Sequence, residues 1–148
     1  MKSIRELRDA KWSTVPEGPG YYRWYFPEAS LDQLGFGELL KHSELKLHHI
    51  KHTETDIYYG LYFGIAKSLR QRVEWHSAQS LRRSALSSGF LSTLRFSLLA
   101  LLGLDYTESG ERQLNEFMDL LLIEWVEKSS KAEAEVEERA ELQGELTY

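Results

Sequence analysis

The sequence predicts a small α+β domain, a mixed or antiparallel sheet flanked by helices. Three observations carry this. Two short segments, 20–27 (GYYRWYFP) and 56–64 (DIYYGLYFG), are dense in aromatic residues and read as strands. Several later segments repeat apolar residues at helical spacing. The chain has 148 residues, 42% of them hydrophobic, enough for one domain with its own core.

The first strand is punctuated by PEGPG before it and PEAS after it. From Ser30, the leucines 31, 34, 39 and 40 suggest a helix over 30–45, weakened by Gly35 and Gly37. The segment 28–55 between the two strands is too long for a plain hairpin loop. It is therefore expected to be a largely helical insertion in a single domain spanning 1–148. The next helix starts at Ser68, where Ser68 and Gln71 form an S-x-x-Q capping pattern. Residues 88–104 give an apolar helix with Leu94, Leu98 and Leu101 on one stripe. Residues 111–121 are amphipathic through Leu114, Phe117, Met118 and Leu121. A third strand is expected over 121–127, and a glutamate-rich helix over 131–146.

Composition excludes several classes. There is no cysteine, so disulfides, thiol chemistry and cysteine metal sites are absent. The charged N-terminus carries no secretory pattern. The longest apolar run, 96–104, falls well short of the roughly 20 residues that cross a bilayer. A cytoplasmic protein with no membrane partner is expected; nothing in the sequence sets its oligomeric state. The net charge is −5, but it is unevenly spread. Residues 67–83 hold five basic side chains against Glu74, whereas 127–145 hold seven glutamates against three basic residues. One local basic patch thus stands apart from an acidic tail.

The segment 62–76 (YFGIAKSLRQRVEWH) poses the chemical question. Leu69, Arg72, Val73 and His76 stand at i, i+3, i+4 and i+7, on one helix face. Leu69 and Val73 must meet the core, so Arg72 and His76 are expected at its border. A buried cation without a partner costs several kcal/mol. Arg72 therefore requires either a carboxylate or a bound anion. Lys67 and the helix N-terminus favour an anion, and Tyr22 and Tyr62 lie on the two strands beside it. Phenols, a guanidinium, an imidazole and one carboxylate suit phosphodiester chemistry, with a hard divalent ion held by the carboxylate.

These residues resemble the GIY-YIG nuclease superfamily. The stretches 20–22 (GYY) and 62–64 (YFG) look like its paired strand motifs. Tyr62, Gly64, Ala66, Lys67, Leu69, Arg72 and His76 fall at the expected offsets. The resemblance runs from about Val15 onward and points to a small bacterial branch. It implies a GIY-YIG-like fold and metal-dependent hydrolysis of DNA with Mg²⁺ or Mn²⁺. It also implies catalytic roles for Tyr22, Tyr62, Arg72 and His76, and substrate binding by Lys67 and Arg70. The metal carboxylate is expected at Glu138, with Glu137 as the near alternative. The 28–55 insertion departs from the family's short hairpin. The family's late asparagine has no counterpart before the final Leu-Thr-Tyr.

Two other readings follow from the same residues. One is a DNA-binding module with impaired catalysis. The other is a protein-interaction domain using Trp24 and Tyr25 on an open sheet face. His48 and His52 would share a metal-binding face if 45–52 were helical, but that segment reads equally well as extended.

Overall fold

The structure is a computed structural model, and it describes residues 1–36, 50–81 and 92–146. The described strands are β1 (Lys2–Ser3), β2 (Gly20–Pro27), β3 (Ile50–His52), β4 (Ile57–Ala66) and β5 (Leu122–Glu127). They form one sheet in the order β1-β5-β2-β4-β3, and every pair is antiparallel. The expected α+β class is therefore what the chain adopts, with no parallel pair among the described strands.

The β2–β4 pairing sets the site. Gly20 faces Ala66, Tyr22 faces Gly64 and Trp24 faces Tyr62. The register then shifts, so that Tyr25 faces Gly60 and Leu61 is left over. Because side chains alternate along a strand, Tyr22, Trp24, Tyr62 and Gly64 share one sheet face. The shift returns Tyr59 to that face opposite Phe26.

That face carries the core. It is covered by α1 (Ile4–Asp9), α3 (Leu69–Ala78), α4 (Thr93–Leu101) and α5 (Glu108–Met118). Leu7, Leu69, Val73, Leu98, Leu114 and Met118 bury their side chains against Trp24 and Ile123. Serine or threonine caps start the helices: Ser68 accepts from the Gln71 amide, Ser92 from Arg95, and Thr107 from Gly110. At α1, Ser3 and Glu6 form a full capping box.

The opposite face carries Tyr21, Arg23, Tyr25, Phe63 and Glu124, and α6 (Lys131–Leu146) packs across β2 and β4. Tyr21 stacks on Phe63, and the Arg23 guanidinium lies 4.7 Å from the Phe63 ring centre. Tyr25 donates to Glu124 at 2.6 Å, and Lys51 donates to the other carboxylate oxygen at 2.7 Å. Burial opposes ionisation of Glu124, but these two donors hold its pKa below the usual carboxylate range.

The described part of the 28–55 insertion holds a helix at its start and a strand near its end. Helix α2 covers only Glu28–Gln33, and the segment returns as strand β3 on the edge of β4. Residues 37–49, where the rest of the expected helix falls, lie outside the described residues. His52 is in β3 and pairs with Ile57, so the shared helical face with His48 does not form. Residue 48 is itself outside the described set. Trp24 and Tyr25 are 0% and 1% exposed, so they offer no open aromatic surface to a partner.

Candidate active site

Two phenols and one imidazole meet beneath the last turn of α3. Tyr22 and Tyr62 lie diagonally across the β2–β4 pair on the same face. His76, on the inward stripe of α3, packs its ring against both, with centroids 5.7 and 5.5 Å away. The Tyr22 hydroxyl lies 2.9 Å from His76 Nε2, and His76 Nδ1 lies 2.7 Å from Ser92 Oγ.

Glycine makes the approach of these strands compatible with a full tyrosine ring. A Cβ at Gly64 would stand 2.5 Å from Tyr22 Cζ, inside any real carbon contact. The glycine of the second motif is therefore a steric requirement of the tyrosine of the first.

The electrostatics separate Tyr62 from the imidazole. His76 is 2% exposed, and burial, aided by the positive charges of Arg72 and Arg95, pushes its pKa down to about 3. The ring is neutral at physiological pH. Burial raises the Tyr62 pKa, partly offset by Arg72. Tyr62 therefore stays protonated and is a hydrogen-bond donor.

Arg72 departs from its expected setting. Leu69, Val73 and His76 are buried, but Arg72 is exposed on the flank of their stripe. Its guanidinium lies 4.9 Å from the Trp75 ring centre, and among the described residues no carboxylate pairs with it. It needs no internal acid because it is not buried. It faces an open cleft of about 560 Å³, lined by Lys67, Ser68, Gln71, Arg72, Trp75 and Lys131. Three of these six are cations, and none is an acid.

The helix N-terminus does not contribute as expected. The Leu69 amide donates to Gly18 O, Arg70 to Pro16 O, Gln71 to Ser68 Oγ and Arg72 to Ser68 O. The first three, which an anion would otherwise meet, are taken by the 16–18 loop and the cap, and the fourth makes the first bond of the helix itself. Anion attraction in the cleft thus comes from side chains.

Arg70, expected on the DNA backbone, clasps the loop before β2. Its Nε donates to Val15 O, Nη2 to Ser13 O and Nη1 to Glu17. It borders a smaller depression with Glu17, Ser68 and Gln71 beside the main cleft. Lys67 lines the cleft itself. Lys131, which sequence reasoning did not single out, is the cleft's third cation. Only the placement of the start of α6 at the rim of the cleft reveals it.

The described cleft supplies cations and neutral donors, so a divalent ion there needs a carboxylate from elsewhere. Among the described residues no three acidic or imidazole side chains cluster closely enough to form a metal cage. A hard divalent ion held there would need that carboxylate and water to complete its shell. Position 138 lies seven residues, two helical turns, beyond Lys131, so the two share one side of α6. The Glu138 side chain lies outside the described residues. Glu137, about 100° further round, is bound to Lys128 at 2.6 Å and is held ionised by that bond.

The GIY-YIG catalytic domain model matches residues 20–144. No curated protein and no solved structure matches the chain. The matched region opens on Gly20 and takes in both motif strands, all of α3 and nearly all of α6. This chain belongs to the GIY-YIG catalytic-domain family, a family of nucleases.

Proposed function

We propose that this protein is a metal-dependent endonuclease that hydrolyses DNA phosphodiester bonds. One observation carries the reading: Tyr22 and Tyr62 converge on a neutral His76, and one turn earlier the same helix presents Arg72, with no carboxylate partner among the described residues, to a basic cleft. A phosphate in that cleft would meet Arg72, Lys67 and Lys131. The guanidinium can contact two phosphate oxygens at once.

In the step proposed, water attacks phosphorus as the bond to the leaving oxygen breaks. Tyr22, as the phenolate left when its own proton passes to solvent, accepts the proton of the attacking water, with His76 holding its phenolic oxygen. Tyr62, still protonated, donates to the water or to a phosphate oxygen and sets the line of attack. Arg72 binds the non-bridging oxygens as charge gathers on them. Lys67 and Lys131 hold the flanking backbone, and Arg70 stiffens the loop before β2. Glu138 is the carboxylate assigned to Mg²⁺ or Mn²⁺. The ion, when bound, would neutralise phosphate charge and stabilise the leaving oxygen.

The test is cleavage of plasmid and branched DNA with and without Mg²⁺ or Mn²⁺. Arg72→Ala should slow cleavage by about 10²–10³-fold, and Glu138→Ala should abolish the metal response. Cleavage that survives both substitutions removes these assignments. The depth of Tyr22, 3% exposed, favours a second reading, a DNA-binding module without catalysis. It predicts salt-sensitive binding and no cleavage with any divalent ion. Among the described residues no helix is long and apolar enough to cross a membrane.

A further inference from the structure

We propose that Ser92, at the start of α4, is a positioning residue that holds His76 in its Nε2–H tautomer, so that the imidazole donates to the Tyr22 oxygen.

Ser92 is fully buried and is tied to α3 twice. Its backbone N–H donates to Gln79 Oε1 at 2.7 Å, and its Oγ lies 2.7 Å from His76 Nδ1. The same Oγ is 3.2 Å from the Arg95 backbone nitrogen. That contact has only one direction, because an amide N–H can only donate. One Ser92 lone pair is therefore occupied by the helix cap.

The hydroxyl has a single proton, and in a buried site it must be placed. Among the described residues the remaining partner of Oγ is His76 Nδ1. Donation to Nδ1 makes that nitrogen an acceptor. A neutral imidazole then carries its hydrogen on Nε2, 2.9 Å from the Tyr22 hydroxyl. The opposite tautomer would aim Nδ1–H at an oxygen already capping α4 and leave the Ser92 proton without an acceptor among the described residues.

The consequence falls on Tyr22. A phenolic oxygen that receives a hydrogen bond is easier to ionise. Its own proton is also directed away from His76. Helix capping and preparation of the base are thus performed by one hydroxyl. This kinetic consequence rests on the nuclease reading, whereas the tautomer does not.

The experiment is a long-range ¹H–¹⁵N spectrum of histidine-labelled full-length protein near neutral pH, with the His76 signals assigned by loss in His76→Gln. The wild type should show Nε2 protonated and Nδ1 bare. Ser92→Thr, which keeps the hydroxyl, should retain that pattern. Ser92→Asp keeps a helix-capping oxygen but has no proton to give when ionised, so Nδ1 should become protonated. In the cleavage assay Ser92→Asp should lower kcat by about tenfold or more with KM kept, a loss confined to the transition state. A protonated Nδ1 in the wild type overturns the proposal, and that measurement suffices if Ser92→Asp fails to fold. An unchanged pattern in folded Ser92→Asp also overturns it. Absence of cleavage by the wild type would remove the nuclease reading and leave the tautomer to the spectrum.

Discussion

Gly64→Ala should be the most damaging small substitution in the site. Ordinary contact at this position begins near 3.4 Å, whereas the new Cβ would stand 2.5 Å from Tyr22 Cζ. The ring must retreat by about 1 Å, yet it is only 3% exposed and packed against His76. Overpacking of this kind costs about 1–3 kcal/mol. Losing the Tyr22–His76 hydrogen bond adds about 1 kcal/mol. The sum, roughly 2–4 kcal/mol, should lower Tm by roughly 5–12 °C in a chain of this length. Cleavage should fall by about 10²-fold, because a reacting group would be displaced by about 1 Å. Thermal melts and cleavage rates on the same preparation measure both. The control is a double-mutant cycle with Tyr22→Val, which removes the ring. In that background Gly64→Ala should cost little. An equal cost in both backgrounds, or wild-type stability and cleavage for Gly64→Ala alone, would refute the steric argument.

Two further expectations rest on charge. His76 has a folded pKa depressed to about 3, so the unfolded chain binds a proton near pH 6.5 that the folded chain refuses. Stability should therefore fall as pH drops below about 6.5, by about 1.4 kcal/mol per pH unit from this group. Urea melts of the wild type and His76→Phe between pH 7 and 5 should show the steeper loss in the wild type. Parallel curves would contradict a buried neutral imidazole. Lys131→Ala should weaken DNA binding at low salt and reduce the slope of log K against log salt by about 0.9, one phosphate contact on duplex DNA. An unchanged slope would place Lys131 outside the DNA path.

Much of the frame was readable from local pattern. The aromatic runs around Tyr22 and Tyr62 are strands because bulky side chains suit a pleated, half-buried surface. Ser68 begins α3 because its hydroxyl satisfies an amide that the helix cannot. Leu69, Val73 and His76 point inward because residues three and four apart share a face. The edge strands were less legible. With two and three described residues, β1 and β3 are too short to show alternation, and they exist through partners distant in sequence.

The sequence by itself determined which side chains are available: two phenols, an imidazole and a guanidinium at family spacing, with a basic patch around them. Periodicity could not decide which of those face water, because it assigns a stripe but not its flanks. Tertiary packing left Arg72 in the open cleft, turned Arg70 onto its own loop and filled the α3 N-terminus with the 16–18 carbonyls. It also brought Lys131 and Ser92 to the site from helices far along the chain. Hydrogen bonds and burial depend on distance in space, and for these residues only the folded chain sets that distance.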